Sequence, residues 1–157
     1  MKLARNLLMT AALCAPLSAQ AVDLQLGPGL IYGSDIEEFG LQFNLYAGIE
    51  SVVGLRAGFD ANFWLVDSID VFSLNANAHY LFFEQEPLAV YALAGLNYFR
   101  VSFNAFGIKG ADDELGVNIG AGGQFEMGPG LFFGELKYVL GEMDQLVVGL
   151  GYRFSVM

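Results

Sequence analysis

Apolar and polar residues alternate along most of the chain with a period of two. Between residues 39 and 49 apolar side chains occupy every second position: Phe39, Leu41, Phe43, Leu45, Ala47 and Ile49. Successive side chains of a β-strand point to opposite faces, so this pattern predicts a strand with one apolar and one polar face. Counted in the same way, the sequence predicts eight strands, near residues 22–33, 39–49, 53–65, 71–82, 88–99, 115–127, 131–139 and 145–154.

The segments between the predicted strands are short, with one exception. Residues 50–52, 83–87 and 128–130 connect strands at one end, and residues 34–38, 66–70, 100–114 and 140–144 connect them at the other. We expect only residues 100–114 to form a long loop. Short connections between consecutive strands predict one all-β domain, an eight-stranded antiparallel up-and-down β-barrel.

The first strand contains a sequence that does not suit a regular ladder. Gly27, Pro28 and Gly29 lie in its middle, and proline has no backbone N–H to donate. We therefore expect a bulge or a bend at this point.

The composition is too apolar for an ordinary soluble protein. Hydrophobic residues make up 55% of the chain and charged residues 15%, whereas a soluble surface usually carries about 25 to 35% charged side chains. Residues 22–157 nevertheless contain no apolar run near the roughly 20 residues that a transmembrane helix requires. A transmembrane β-barrel reconciles these two facts, because its strands alternate lipid-facing and lumen-facing residues.

The polar face of the strands indicates which face meets lipid. A soluble barrel of the lipocalin type also alternates, but its apolar face points inward. Here the polar face is mostly glycine, asparagine, glutamine and serine, which suits a narrow lumen that side chains fill. Aromatic residues of the apolar face form two bands: Tyr32, Phe39, Phe63, Phe72, Tyr98 and Tyr138 toward one rim, and Tyr80, Phe82, Phe125, Phe132, Tyr152 and Phe154 toward the other. Two aromatic bands are typical of the two interfaces of a bilayer, so we expect the apolar face to contact lipid.

The first 21 residues have the features of a secretory signal peptide. Lys2 and Arg5 precede an apolar stretch over residues 7–13, and the small residues that end at Ala21 form an A-x-A cleavage pattern. We predict a signal peptide at residues 1–21 and an outer-membrane barrel at residues 22–157. Cys14, the only cysteine, would leave with the signal peptide, so the mature chain would have no disulfide and no cysteine-based metal site.

The predicted mature chain is strongly acidic. Removal of the signal peptide leaves five basic and 17 acidic residues, a net charge of 5 minus 17, or −12. Such a charge argues against a nucleic acid as partner. Ten of the acidic residues fall in the connections at one end: Asp35, Glu37, Glu38, Asp67, Asp70, Asp112, Asp113, Glu114, Glu142 and Asp144. This acidic rim would repel anionic lipopolysaccharide unless divalent cations such as Mg²⁺ or Ca²⁺ bridge the two. Solvated loops are the default interpretation, and no carboxylate group is specific enough to predict a metal site. We predict no cofactor.

Eight ionisable residues are predicted to point into the lumen: Asp23, Arg56, Asp60, His79, Glu126, Glu135, Lys137 and Arg153. Buried charges must be paired or hydrated. The third and seventh strands lie opposite each other in an eight-stranded ring, so we expect Arg56 to pair with Glu135 and Asp60 with Lys137. Arg153 and Asp23 would form a salt bridge where the last strand meets the first. Such a charge plug predicts a closed barrel or, at most, a narrow gated pore.

His79 is the only candidate for a catalytic base. Some eight-stranded barrels of the outer membrane modify lipid A with a histidine, a serine and an acidic residue. A His-x-Ser pattern is missing here, because Leu81 occupies the serine position. The inward direction predicted for His79 also turns it away from the lipid, so we predict a buried, hydrogen-bonded histidine and no enzyme.

The last strand carries a recognisable signature. Gly149, Tyr152 and Phe154 resemble the C-terminal signal read by the barrel-assembly machinery. The chain departs from that signal at Val147, where a polar residue is preferred, and after Phe154, where residues 155–157 follow in place of a terminal phenylalanine.

With this signature, the whole predicted mature chain resembles the small bacterial outer-membrane barrel proteins that include OmpX and the membrane domain of OmpA. The resemblance implies a monomer in the outer membrane, in contact with its lipid and lipopolysaccharide and assembled by the barrel-assembly machinery. It implies architecture more than activity. A structural or surface-interaction role is the first hypothesis, a narrow transport pore is the alternative, and a lipid A-modifying enzyme is the third.

Overall fold

The structure, a computed structural model, describes residues 21–49, 52–67, 69–105, 108–142 and 144–156, with the backbone alone at residues 21, 22, 104, 105 and 108. The predicted signal peptide, including Cys14, lies outside the described residues except for Ala21. No helix formed by these residues is long and apolar enough to cross a membrane.

The described chain forms eight antiparallel strands that close into one up-and-down barrel. Their bounds are β1 (Ala21–Gly33), β2 (Glu38–Ile49), β3 (Leu55–Trp64), β4 (Ile69–Gln85), β5 (Leu88–Ala105), β6 (Ile108–Met127), β7 (Gly130–Leu140) and β8 (Gln145–Val156). Each strand pairs with the next along the chain, and β8 pairs with β1. The predicted fold class and strand number are confirmed.

The two ends of the barrel differ in what they carry. We call the end with the turns after β1, β3, β5 and β7 the acidic end, because the ten carboxylates named above cluster there. We call the opposite end, which holds both ends of the described chain, the terminal end. A side chain can therefore be located by its strand and by its distance from these two ends.

The barrel is apolar outside and mostly polar inside. On the outer face, Phe39 and Leu96 leave 63% and 65% of their surface exposed. The side chains of Asn44 and Asp60 point inward with no exposed surface. This polarity is the reverse of a water-soluble barrel, and it follows the alternation read from the sequence.

The predicted long loop over residues 100–114 is wrong. β5 continues to Ala105 and β6 begins at Ile108, and the two strands pair along their whole length. The period-two pattern does continue through this segment, because Val101 and Phe103 alternate with polar neighbours. The run of acidic residues at 112–114 conceals that pattern. The result is a hairpin that extends past Val117, where pairing of β6 with β7 ends.

Of the bulge or bend predicted at Pro28, the bulge is absent from the pairing of β1 with β2. The register between β1 and β2 is continuous from Leu24 to Gly33, and the one irregularity of that pair lies between Ala21 and Leu24. The pairing of β1 with β8 skips residues 27 and 28. Proline has no N–H to donate, and it lies where the ladder between β1 and β8, which closes the barrel, is interrupted.

Candidate functional site: the lumen

A buried carboxylate, Asp60 on β3, is the centre of the polar lumen. It accepts hydrogen bonds from Gln42 Nε2 at 3.2 Å, Asn75 Nδ2 at 2.7 Å and Asn77 Nδ2 at 3.0 Å. Lys137 Nζ reaches across the lumen from β7 and lies 3.0 Å from Asp60 Oδ1. Four donors therefore compensate one charge that is removed from water, which is the condition for burying it.

An asparagine network extends this layer around the barrel wall. Asn75 Oδ1 accepts from Asn97 Nδ2 at 2.7 Å and from Asn118 Nδ2 at 2.8 Å. Asn118 Nδ2 also lies 2.8 Å from Asn77 Oδ1. The amides link β4, β5 and β6 and hold in place the two asparagines that bind Asp60.

A second charged layer lies nearer the terminal end. Glu135 Oε2 accepts from Tyr91 OH at 2.7 Å, Tyr46 OH at 3.2 Å and Arg153 Nη2 at 3.0 Å. The Arg153 guanidinium carbon lies 3.9 Å from the ring centroids of both Tyr46 and Phe133. Arg153 is thus bound by one carboxylate and enclosed by two aromatic faces, an arrangement that favours a buried cation.

Glycines make room for the aromatic rings of this layer. Each aromatic residue is paired in register with a glycine on the neighbouring strand, and its ring lies over that glycine: Tyr46 with Gly58, Tyr91 with Gly122 and Phe133 with Gly151. A Cβ built on Gly122 would lie 2.5 Å from Tyr91 Cζ, and one on Gly151 would lie 2.6 Å from Phe133 Cζ. These contacts are too close for any side chain, so the glycines are required by packing.

His79 lies within this layer and away from lipid. Its ring stacks on Tyr91 at a centroid distance of 4.7 Å and meets Tyr46 at 4.6 Å. The inward orientation predicted for it is observed, but His79 Nε2 has no hydrogen-bond partner among the described residues. Two tyrosine rings cover a side chain that a lipid substrate would have to reach.

The lumen also contains an apolar cluster that the sequence reasoning missed. Near the acidic end, six inward side chains from six strands pack together, and we call them the apolar cap: Ile31, Trp64, Val71, Phe99, Val139 and Val147. The signal was available, because on each of these strands an inward glycine, serine, amide or lysine is followed, at the next inward position toward the acidic end, by an apolar residue.

The remaining predicted lumen charges lie at the mouth of the terminal end. Arg56 is partly buried and donates from Nη1 to Gln124 Oε1 at 2.8 Å. Asp23 and Glu126 line the same open cavity of about 320 Å³, together with Glu84. No carboxylate oxygen of the described residues lies within ion-pair distance of the Arg56 guanidinium.

Two of the three expected ion pairs are therefore wrong. Glu135 binds Arg153 and not Arg56, and Asp23 accepts from Gln25 at 2.7 Å and does not meet Arg153. Arg56 binds Gln124 on β6, whereas Glu135 is in register with Gly122 on the same strand. Gln124 lies one inward position closer to the terminal end than Gly122, so Arg56 is too far along the barrel to meet Glu135. The stagger of the strands separates residues that a flat ring of strands would bring together. The expected contact between Asp60 and Lys137 is present.

The aromatic residues of the outer face form contacts within each band. Phe72 lies 6.4 Å from Phe63 and 6.1 Å from Tyr98 between ring centroids, in the band toward the acidic end. Tyr152 and Phe154 meet edge to face at 4.9 Å in the other band. No group of three or more His, Cys, Asp or Glu side chains that could hold a metal ion occurs in the part of the chain that the structure describes.

Comparison with known proteins identifies the fold. The chain matches no family model and no curated protein. Its structure is similar to the N-terminal β-barrel domain of OprF from Pseudomonas aeruginosa, with a TM-score of 0.68 and 18% identity over 87% of this chain and 98% of that one. The fold is that of small outer-membrane barrels. Two further structures agree with this result.

Neisserial surface protein A has a TM-score of 0.62 and 18% identity, covering 85% of this chain and 95% of that one. Ail, the attachment invasion locus protein of Yersinia pestis, has a TM-score of 0.60 and 20% identity, covering 84% of this chain and 97% of that one. The architecture that the sequence resemblance implied is confirmed. Identities this low leave the activity open.

Proposed function

We propose that this chain is a non-enzymatic, monomeric barrel of the bacterial outer membrane, with a closed lumen and with its acidic end toward the cell exterior. The reversed polarity of the wall carries the proposal. Large apolar side chains face outward on all eight strands, and the amides and charges face inward. In water such a surface would aggregate, whereas in hydrocarbon it is the stable arrangement.

The closed lumen follows from its contents. A solute that entered at the terminal end would meet the layer of Arg153 and Glu135, then Asp60 and Lys137, and finally the apolar cap. Each buried charge of the two layers is paired with an opposite charge, and the cap presents apolar side chains, with the indole N–H of Trp64 as its one polar group. This sequence of barriers favours a structural barrel over the alternative, a transport pore.

The exterior supports contact with outer-membrane lipid and lipopolysaccharide, with divalent cations bridging carboxylates and lipid phosphates. Ail has been crystallised in complex with sucrose octasulfate, a heparin analogue. The acidic end of this chain carries ten carboxylates but only Arg100 and Lys109 as cations. A highly sulfated polymer would be repelled by most of this surface, so we infer a partner that presents few anionic groups at a time.

We propose that biogenesis follows the outer-membrane route. Residues 1–21 would be removed on export, and the barrel-assembly machinery would read Gly149, Tyr152 and Phe154 on β8. The rings of Tyr152 and Phe154 contact each other edge to face in the aromatic band at the terminal end, which supports their role as one recognition surface.

Membrane fractionation combined with a heat-modifiability gel tests location and barrel closure together. We expect the protein in the outer-membrane fraction, extractable only with detergent, and we expect unheated and boiled samples to migrate differently. A protein recovered in solution without detergent would contradict the proposal.

Planar-bilayer recordings test the closed lumen. We expect no steady conductance from the wild-type protein, and intermittent openings after Glu135→Ala, which leaves Arg153 without its carboxylate. Arg56→Ala, at the mouth, is the control and leaves the inner layers intact. A steady open channel in the wild-type protein that neither substitution changes would favour the transport pore.

The lipid A pattern tests the absence of an enzyme. His79→Ala is expected to leave it unchanged, because the two tyrosine rings keep the imidazole away from lipid. A changed pattern, with the barrel still folded, would revive the lipid A-modifying enzyme.

A further inference from the structure

The two cations of the acidic end lie on the same hairpin. Arg100 is on β5 and Lys109 is on β6, and they stand on either side of the register pair Ser102 and Ala111. Every other charged residue described at this end is acidic. The positive charge is therefore concentrated at one place on an otherwise negative surface.

Arg100 sits just beyond the aromatic band. Its register partner on β4 is Phe72, and Tyr98 lies two residues before it on the same face of β5. The rings of Phe72 and Tyr98 are 6.1 Å apart. Aromatic bands lie at the level of the lipid headgroups, so a guanidinium immediately outside the band is at the depth of headgroup phosphates.

A cleft opens at this position. Its volume is about 570 Å³, and its polar lining residues are Arg100, Ser102, Lys109 and Asp70. Apolar and small residues complete the lining: Val66, Ile69, Phe103, Gly110 and Ala111. A ligand in this cleft would meet two cations and an apolar wall at once.

The polar groups of the cleft retain hydrogen-bonding capacity. Arg100 uses Nη1 for Asp113 Oδ1 at 3.2 Å and Nε for Ser102 Oγ at 3.5 Å, and its guanidinium also interacts with the side chain of Tyr98. The remaining N–H groups of the five are available to a ligand. Lys109 makes no hydrogen bond or ion pair with another described residue. Asp113 keeps the guanidinium in place at the edge of the cleft.

We propose that this cleft binds one phosphate group of an outer-leaflet lipid, with Arg100 and Lys109 as the binding cations and the Ser102 hydroxyl as a hydrogen-bond donor. The inference rests on the proposed function, because it places the acidic end in the outer leaflet. A guanidinium and an ammonium together suit a phosphate that carries more than one negative charge. The apolar wall favours a lipid headgroup over free phosphate, since it would contact the sugar or acyl portion.

Asp70 gives the proposal a further consequence. Its carboxylate faces the same cleft and would repel a second phosphate unless a divalent cation lies between them. We therefore expect magnesium to strengthen binding of a bisphosphorylated lipid more than binding of a monophosphorylated one.

Native mass spectrometry of the detergent-solubilised full chain measures retained lipid directly. With magnesium present, the probe is bisphosphorylated lipid A, and its fully dephosphorylated form is the lipid control. We expect the wild-type protein to retain the phosphorylated probe. The double variant Arg100→Gln/Lys109→Gln should retain about tenfold less of it, which corresponds to a loss of about 1.4 kcal/mol in binding free energy. Arg56→Gln removes a cation from the opposite end and is expected to retain as much as the wild-type protein.

Several outcomes would overturn the inference. Equal retention by the wild-type protein and the double variant would do so, as would equal retention of the dephosphorylated lipid. Calorimetry with inorganic phosphate separates the two sources of the anion, and free phosphate bound as tightly as the lipid would reject the lipid headgroup. Heat modifiability of each variant reports its folding, and Lys109→Glu serves if the double variant does not fold. A protein that folds and inserts but retains no lipid refutes this inference and leaves the proposed function intact.

Discussion

Two regions of one lumen differ completely in chemistry. The layers of Asp60 and Lys137 and of Glu135 and Arg153 bury four full charges, whereas the apolar cap a few residues away on the same strands buries none. Both regions are enclosed by the same wall and are equally removed from solvent. Enclosure therefore does not dictate polarity inside the barrel.

The difference shows what each region needs from its neighbours. In the cap, tight packing of apolar surfaces is sufficient, and any partner of the right size will serve. In the charged layers each group depends on a particular donor or acceptor from another strand, because an unpaired buried charge is far more costly than a cavity. The charged layers should thus be specific and fragile, and the cap tolerant.

The largest effect is expected when the central carboxylate is removed. Asp60→Ala leaves the ammonium of Lys137 and three amide donors without their acceptor, and we expect it to lower the free energy of unfolding by about 3 to 5 kcal/mol. Urea unfolding in detergent micelles, followed by the fluorescence of Trp64, the only tryptophan, measures the loss. The double variant Asp60→Ala/Lys137→Met should recover part of it. If Asp60→Ala lowered the free energy of unfolding no more than the double variant does, Asp60 and Lys137 would not be coupled.

A smaller effect is expected in the cap. Ile31→Ala creates a cavity there and should cost about 2 kcal/mol or slightly more, within the range for truncating a buried aliphatic residue. Ile31→Val, the conservative control, should cost less than about 1.5 kcal/mol. Ile31→Asn should destabilise the barrel more than Ile31→Ala, because the indole N–H of Trp64 is the one polar group of the cap and would leave the amide N–H groups without an acceptor. If asparagine were tolerated better than alanine, the contrast between the two regions would be mistaken.

The glycines that face aromatic rings test how tightly the layer of Glu135 and Arg153 is packed. Gly122→Ala forces its Cβ against the ring of Tyr91 and should cost about 1 to 3 kcal/mol, the usual range for overpacking. Gly48→Ala is a matched control, because the nearest atom to its Cβ would be 3.7 Å away, an ordinary contact. Equal stability of the two variants, measured by the same urea titration, would mean that the Tyr91 ring moves aside freely.

The smallest effect is expected outside the lumen. Arg100 and Asp113 form an ion pair at 3.2 Å with about a third to a half of each side chain exposed. Exposed pairs contribute little because water and salt screen them. Asp113→Asn should leave the urea midpoint unchanged within the scatter between repeat titrations. A shift comparable to that of Asp60→Ala would mean that the hairpin of β5 and β6 is coupled to the barrel wall.

The predictions made from the sequence succeeded where the signal is local. Eight strands and their inward and outward faces could be read from alternation, including the inward direction of Asp60 and Lys137. The extension of β5 and β6 through residues 100–114 was missed, because the acidic run at 112–114 resembles a solvated loop. The apolar cap was missed because a single inward apolar residue on a strand carries little signal by itself. Six such residues acquire meaning only when the strands bring them together.

By itself, the sequence determined the number of strands, the two faces of the wall and the presence of charges in the lumen, because the direction of a side chain depends on its parity along the strand. Only the tertiary structure decided the partners. Arg153 meets Glu135, and Arg56 meets Gln124, because their heights depend on the accumulated stagger of all the strands that separate them. That stagger is set by the closure of all eight strands into a ring, so it cannot be read from any single segment of the sequence.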